Sequence, residues 1–205
     1  MIIASFDIGI NNFSYSIDEC NISIEKKIKL KYKKNGLPDS DTQKLIDIFL
    51  TNIKNIFFHN LSLLKTLDKD ELRSFVLHIY QIIQDPIFKQ CDKFLIEQQM
   101  KTNYIALKIE QTLFTLLTIL FPLKEIIRYS SRNKTNIIGM EKTLKDEKYI
   151  TFKSERKKWS YEKVKEIFLM NNYFDKYNKL ESLSKKDDVC DCILMNISYF
   201  IKIYN

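Results

Sequence analysis

Glycine, proline and histidine are scarce in this chain, and each scarcity limits what the protein can be. The 205 residues contain 3 glycines, 3 prolines and 2 histidines. So few chain breakers predict long regular elements with few tight turns. Two histidines, and four cysteines without a Cys-x-x-Cys pair, do not supply the ligands of a thiolate zinc centre. Cys190 and Cys192 lie in an apolar run, which is typical of small core residues in a reducing compartment.

Long hydrophobic runs are also missing. The longest apolar stretch, residues 113–123, is interrupted by Thr115, Thr118 and Pro122. It has about half the length that a membrane-spanning helix needs. The N-terminus leads into a strand-like run without a basic segment, so we expect no signal peptide. These features predict a soluble intracellular protein.

A positive charge excess is the main compositional feature. The formal net charge is +7 with a pI near 9.0, and 29 lysines contribute far more than 4 arginines. This balance favours a nucleic-acid or other anionic partner. Many isoleucines and asparagines accompany the lysines, so an AT-rich coding sequence accounts for part of the excess. A chain of this length with 45% apolar residues suits one globular domain.

Hydrophobic periodicity predicts a mixed α/β domain spanning residues 1–205. Strands are expected at residues 2–6, 13–17, 22–33, 93–97 and 125–129, and helices at 42–58, 70–83, 103–120, 161–170 and 187–203. The first three strands would form an antiparallel meander, and the later strands would run parallel to the first. Helices would cover both faces of this sheet. The charged segment 130–160 lacks periodicity and is predicted to be irregular and mobile.

Four acidic residues lie where apolar surroundings make a carboxylate costly. Asp7 and Glu97 each end a strand-like apolar run, and Asp188 and Asp191 share one face of an apolar helix-like run. Taken singly, Asp7 also suits a turn cap and Glu97 a salt-bridged edge residue. A buried carboxylate is destabilising unless it is paired or binds a metal. Four that converge in a basic protein indicate divalent cations facing a polyanion, as in a metal-dependent nuclease.

The residue types also indicate which metal would bind. Hard carboxylate oxygens without a histidine cluster favour magnesium, with manganese as a substitute, over zinc. Two such ions would activate a water and stabilise the leaving oxygen of a phosphodiester. Asp187 is assigned to helix capping instead, because Ser184 three residues earlier resembles a capping box. An indirect contact between Asp187 and a bound metal is the alternative.

Three segments together resemble the motifs of RuvC-type Holliday junction resolvases. They are residues 7–12 (DIGINN), 96–103 (IEQQMKTN) and 185–191 (KKDDVCD). The second and third are similar to the mitochondrial and poxvirus branch, and the small size and AT-rich composition favour the poxvirus enzymes. The order of elements agrees along nearly the whole chain, although only these segments match closely.

The resemblance implies an RNase H-like fold, a homodimer, and magnesium-dependent symmetric nicking of four-way DNA junctions that leaves 5′-phosphate and 3′-hydroxyl ends. Such an enzyme would act in viral DNA recombination and process replication intermediates, in the host cytoplasm if the virus is a poxvirus. By motif, the catalytic metal ligands would be Asp7, Glu97, Asp188 and Asp191. The last motif lacks the histidine of some bacterial members. That leaves open which group assists proton transfer, with Lys186 as one candidate.

DNA contacts are expected beside the second motif. Gln98, Gln99, Lys101 and Asn103 follow Glu97 where a strand meets a helix N-terminus, and free N–H groups there suit a phosphate. Further candidates are Lys134, Lys186, the lysine face of residues 27–33 and the basic cluster at 153–159. A solvated or packing role is the alternative for each of them.

Three other functions are compatible with parts of this sequence pattern. An RNase H-like nuclease for an RNA–DNA hybrid would use the same carboxylates, although the Glu97-Gln98-Gln99 form argues mildly against it. A non-catalytic junction-binding module would need no acidic cluster. A sugar-kinase or actin-like ATPase would need a second comparable domain and a second phosphate loop, which 205 residues with 3 glycines do not provide.

Overall fold

A five-stranded mixed sheet forms the centre of the protein. The computed structural model describes residues 1–9, 12–22, 29–62, 69–145 and 148–204. The strands are β1 (Ile2–Ile8), β2 (Asn12–Cys20), β3 (Ile53–Ser62), β4 (Lys93–Glu97) and β5 (Glu125–Tyr129), in the order β3-β2-β1-β4-β5. The first three strands are antiparallel, β4 is parallel to β1, and β5 is parallel to β4. The predicted fold class, three antiparallel strands followed by parallel ones, is confirmed.

Helices cover both faces of this sheet, as predicted. They are α1 (Ser40–Asn52), α2 (Lys69–Ile83), α3 (Pro86–Lys89), α4 (Tyr104–Leu120), α5 (Arg132–Ile138), α6 (Lys153–Met170), α7 (Phe174–Glu181) and α8 (Lys186–Ile203). A small hairpin, β6 (Thr143–Lys145) and β7 (Lys148–Ile150), precedes α6. One core lies between the sheet and α1, α6 and α8, and a second lies between the sheet and α2, α3 and α4. Within the described ranges, no helix is long and apolar enough to span a bilayer.

The third strand is not where the sequence predicted it. It lies at Ile53–Ser62, so the expected helix over residues 42–58 ends at Asn52. Of the expected strand at 22–33, residues 23–28 fall outside the described ranges, and residues 29–33 contribute only an isolated bridge at Tyr32. No glycine or proline separates α1 from β3, so no chain breaker in the sequence indicates this boundary. The aromatic and β-branched residues of β3 favour a strand once β2 is available to pair with it.

The segment 130–160 is more regular than its charge suggested. It contains α5, the β6–β7 hairpin and the first two turns of α6, with residues 146–147 outside the described ranges. Glu155 stabilises the start of α6, because its carboxylate accepts the backbone N–H of Phe152 at 3.0 Å. The expected irregular course is therefore wrong, whereas mobility of the segment stays a prediction.

Polar contacts hold α8 against the two strands at the centre of the sheet. The Ser5 hydroxyl donates to the carbonyl of Cys192 at 2.8 Å. One turn further along α8, the Asn196 amide donates to Asp18 Oδ2 at 2.6 Å. These bonds are buried, where a hydrogen bond left unmade is costly. They fix α8 over β1 and β2, with its N-terminal turn at the C-terminal end of β1.

Asp18 should make the stability of the fold depend on pH. This buried carboxylate accepts hydrogen bonds from Ser16, Asn55 and Asn196, yet burial outweighs them and raises its pKa from 3.8 to about 6. The folded state therefore binds the proton more tightly than the unfolded state, and stability falls as pH rises from 4 to 6. Relative to Asp18→Asn, the wild type should lose about 2 kcal/mol of unfolding free energy between pH 4 and pH 7, measurable by urea titration. A difference between the two proteins that is constant across this range would contradict the assignment.

Side chains from α7 and the turn before it cover the outer edge of β3. The Lys176 ammonium donates to the carbonyl of Ile56 at 2.6 Å, and the Lys179 ammonium donates to the carbonyl of Phe58 at 2.8 Å. The Tyr173 hydroxyl reaches a third carbonyl of the same strand at 3.3 Å. Because β3 is the terminal strand of the sheet, these bonds satisfy acceptors that have no neighbouring strand.

Candidate active site

The ends of two parallel strands bring the first two acidic residues together. Phe6 of β1 is in register with Ile96 of β4, so Asp7 and Glu97 follow at the same level on neighbouring strands. The N-terminal turns of α8 add Asp188 and Asp191. All four carboxylates line one cleft of about 330 Å³, although they come from three separate parts of the chain.

Asp7 lies near the end of β1, and its half-buried side chain lines the cleft beside Glu97. Its pKa is raised well above the ordinary value, first because burial disfavours the charge, and second because the Glu97 carboxylate lies beside it. The cluster is therefore a site where negative charge is unfavourable until a cation is supplied.

Lys134 supplies one such cation from α5. Its ammonium contacts Asp191 Oδ2 at 2.5 Å, and only 5% of its side chain is exposed. Burial opposes the charge on Lys134, but the carboxylates of Asp191, Glu97 and Asp7 outweigh burial and raise its pKa. Lys134 was predicted as a DNA contact, and the structure places its ammonium among the acidic residues.

Lys157 of α6 connects to the start of α8. Its ammonium pairs with Asp187 and lies 4.0 Å from Asp188 Oδ1. The expected capping box is wrong, because the residue that caps α8 is Lys185, without a side-chain hydrogen bond, and Asp187 lies inside the first turn. Burial opposes the charge of Asp187, but the Lys157 ammonium outweighs burial and lowers the pKa of that carboxyl. Asp187 therefore ties α8 to α6.

Asp188, next to Asp187, is in the opposite electrostatic situation. Burial, then the charges of Asp187 and Asp191, raise the pKa of Asp188 to about 6 against the opposing effect of Lys157. We expect Asp188→Asn to raise the melting temperature in EDTA by about 2–4 °C, roughly 1 kcal/mol, because it removes an unfavourable charge. Asp187→Asn is the matched control and should lower the melting temperature, since it breaks the pair with Lys157. A clear drop for Asp188→Asn would instead mark Asp188 as a structural residue.

The remaining lining residues come from two regions of the chain. Gln99, Met100 and Asn103 precede α4, whereas Ser131 precedes α5 and Lys153 and Arg156 begin α6. Asn103 also caps α4, because its Oδ1 accepts the backbone N–H of Ala106 at 3.3 Å. Ser131 was not anticipated, and Lys153 and Arg156 were seen only as part of a basic cluster. No spacing rule links α5 and α6 to the motif segments, so their place in the cleft depends on the tertiary fold.

Three predicted DNA contacts lie outside this cleft. Gln98 and Lys101 line a neighbouring groove beside Tyr104 and Arg128. The Nζ of Lys186 lies 2.5 Å from Oε2 of Glu181, with which it forms an ion pair. Their roles stay predictions.

The donor set fits hard divalent cations. One oxygen of Asp191, Oδ1, is buried and has no hydrogen-bond partner among the described residues, so it is available to a ligand. Within those residues, no three Asp, Glu, His or Cys side chains converge on a single point at metal-binding distance. The Lys134 ammonium holds Asp191 by its other oxygen. The site thus suits a hard divalent cation by the chemistry and charge of its oxygen donors, and not by the spacing of the described side chains.

Sequence comparison identifies relatives of this chain. It is 30% identical over 222 residues to Uncharacterized protein 170L of invertebrate iridescent virus 6, an alignment that covers 96% of this chain and 87% of that protein. The chain belongs to the 170L family. Uncharacterized protein 97L of invertebrate iridescent virus 3 is 28% identical over 212 residues, with 96% and 98% of the two chains covered. No protein-family model matches the sequence.

Solved structures show which fold this 170L family member has. The fowlpox virus resolvase, in complex with substrate Holliday junction DNA, has a TM-score of 0.56 at 18% identity and covers 99% of both chains. RuvC of Thermus thermophilus has a TM-score of 0.57 at 9% identity, covering 99% of this chain and 95% of that one. At these identities the likeness shows the fold, which is that of the RuvC-type resolvases, including the poxvirus enzyme. The fold that the three motifs implied is confirmed.

Proposed function

We propose that this protein is a metal-dependent endonuclease that resolves four-way DNA junctions by paired symmetric nicks. The observation that supports this most is the convergence of Asp7, Glu97, Asp188 and Asp191 on one cleft in a basic protein. The fowlpox virus protein with the same fold binds Holliday junction DNA as its substrate. The relatives come from iridescent viruses, so the enzyme would act on recombination and replication intermediates of viral DNA. The predicted location, soluble and intracellular, agrees with this role and stays a prediction.

The four carboxylates would hold two magnesium ions, which manganese could replace. When bound, such ions activate a water and stabilise the leaving oxygen of a phosphodiester. The cut would leave 5′-phosphate and 3′-hydroxyl ends. Before DNA and metal arrive, the repulsion between neighbouring carboxylates such as Asp7 and Glu97 makes the cluster favour cations.

Lys134 has a separate task in this proposal. Its ammonium orients Asp191 and adds positive charge in a nearly water-free position, where it would stabilise negative charge that develops on the phosphate. A buried cation already in place costs no reorganisation at the moment of reaction. Lys134 is thus a better candidate than Lys186 for assisting the reaction, because Lys186 is already paired with Glu181.

Paired nicks require two clefts, since one cleft cuts one strand at a time. We therefore propose a homodimer, whose two-fold axis would present one cleft to each of two opposing strands of a junction. Sedimentation of the protein with and without a junction tests this part of the proposal. A monomer in both conditions would contradict it.

The deciding experiment is a cleavage assay with three substrates. An immobile four-way DNA junction, a linear duplex and an RNA–DNA hybrid are incubated with magnesium and either wild-type protein or Asp7→Asn. We expect symmetric nicks in opposing strands of the junction with the wild type alone. Cutting of the hybrid alone would favour a ribonuclease H, and tight junction binding without cutting in magnesium or manganese would favour a binding module.

A further inference from the structure

The cleft has a basic wall that the carboxylates do not neutralise. Four cationic side chains line it, Lys134, Lys153, Arg156 and Lys157. Lys134 pairs with Asp191, and Lys157 pairs with an acid of α8. Lys153 and Arg156 make no ion pair within the described part of the chain. Both belong to the first turns of α6, so their charges face the cleft from one helix.

Arg156 also has an unsatisfied donor. Its Nε is buried, and no acceptor within hydrogen-bond distance is present among the described residues. A buried donor without a partner costs about 1–3 kcal/mol, and more when it is charged. Ser131, the N-cap residue of α5, also lines the cleft, and its hydroxyl makes no capping hydrogen bond to that helix and no other hydrogen bond among the described residues. This wall therefore offers several donors and lacks an acceptor.

The missing acceptor should be an oxyanion with planar or tetrahedral geometry. Guanidinium groups bind phosphate oxygens in a two-pronged geometry, and lysine adds a point charge. Two divalent ions would already balance the charge of the four carboxylates around the phosphate that is cut. The phosphates on either side in the same strand would each still carry a negative charge, and Lys153 and Arg156 are the cations left to meet it.

We propose that Lys153 and Arg156 bind a phosphate next to the scissile one and so hold the DNA strand across the carboxylates. This inference rests on the proposed function, because it assigns a contact within the same cleft. It predicts that the two side chains contribute to affinity without reading sequence, as phosphate contacts do. Lys158 lies on the same helix but is exposed and does not line the cleft, so it provides a matched control for loss of charge.

The contribution of Lys153 and Arg156 to DNA affinity is tested under conditions in which the DNA is bound but not cut. In an Asp7→Asn background, affinity for a four-way junction is measured by fluorescence anisotropy across a range of salt concentrations. Combined Lys153→Gln and Arg156→Gln substitutions should weaken binding about tenfold or more and reduce the slope of log affinity against log salt by about one phosphate contact, roughly 0.9. Lys158→Gln should change both quantities much less, and Arg156→Lys should retain part of the affinity.

Neutral replacements of single phosphates test which phosphate Lys153 and Arg156 contact. Methylphosphonates are placed one at a time on either side of the cut site. We expect that a methylphosphonate at one of these positions weakens DNA binding by the parent protein. The same methylphosphonate should cause no further loss of affinity in the double variant, because the contact is already absent there. Additive losses at every position would overturn the proposal. So would a double variant with unchanged melting temperature whose affinity and salt slope equal those of Lys158→Gln.

These outcomes separate the inference from the proposed function. A wild-type protein that cuts junctions, together with a double variant that binds them normally, would overturn the phosphate contact and leave the nuclease in place. A wild-type protein that neither binds nor cuts branched DNA would overturn both. Loss of helical content in the double variant would transfer the test to Arg156→Lys, which keeps the charge but not the two-pronged contact. It should retain part of the affinity and lose less binding than the parent protein at the sensitive phosphate, and a loss equal to that of the parent would contradict the contact.

Discussion

Asp7→Asn should cut a four-way junction at least about a hundredfold more slowly than the wild type, while it binds the junction as tightly or more tightly. Loss of a residue that merely supports a metal ligand costs about 10–100-fold in activity, so loss of a ligand should exceed that range. Binding should not suffer, because the substitution removes a negative charge from the cleft that receives a polyanion. Single-turnover cleavage and anisotropy measure the two quantities separately.

The stability of Asp7→Asn distinguishes a lost ligand from a damaged fold. Burial and the neighbouring Glu97 carboxylate already oppose the charge on Asp7, so an amide of equal size should leave the melting temperature in EDTA unchanged or higher. Asp175→Asn, an exposed acid in the first turn of α7, is the control for loss of one carboxylate and should cut normally. Full activity of Asp7→Asn would exclude the carboxylate cluster as the active site.

Lys134→Met should lower the free energy of unfolding by about 3–5 kcal/mol in EDTA. Removing one member of a buried ion pair leaves the other charge without a partner, and such losses are large. Without the Lys134 ammonium that lies among them, the carboxylates of Asp191, Asp7 and Glu97 would repel one another more strongly. Urea unfolding of the variant beside the wild type gives the difference directly.

A second substitution identifies the cause of this loss. Lys134→Met combined with Asp191→Asn should recover a large part of the stability, because both charges of the pair are then absent. Added magnesium should also stabilise Lys134→Met more than it stabilises the wild type, since the ion would replace the lost positive charge. If the double variant is no more stable than Lys134→Met alone, the methylene chain of Lys134 rather than its charge would be the important part.

The elements that carry the carboxylates were predictable because local patterns define them. The strands at 93–97 and 125–129 have the predicted bounds, since short apolar runs between charged residues permit few alternatives. Asp188 and Asp191 share one helix face by their spacing alone. The structure then brings both to the cleft with Asp7 and Glu97. No local sequence pattern predicts this convergence, and only the family resemblance implied it.

What escaped prediction depends on contacts between distant segments. The strand at Ile53–Ser62 directly follows a helix without a chain breaker, and its pairing with β2 decides its conformation. The start of α6 is so highly charged that no apolar stripe marks it. The pair between Lys134 and Asp191 joins residues 57 positions apart, and nothing at either position distinguishes it from a solvated charge.

The cover over the edge of β3 has a consequence for how two copies can meet. Lys176 and Lys179 occupy carbonyls that an incoming strand would need, and insertion of a strand would displace α7. Two copies therefore cannot join their sheets through β3 into one continuous sheet. In the proposed dimer the two molecules would therefore meet through other surfaces, and the contact between whole domains would determine the separation of the two clefts.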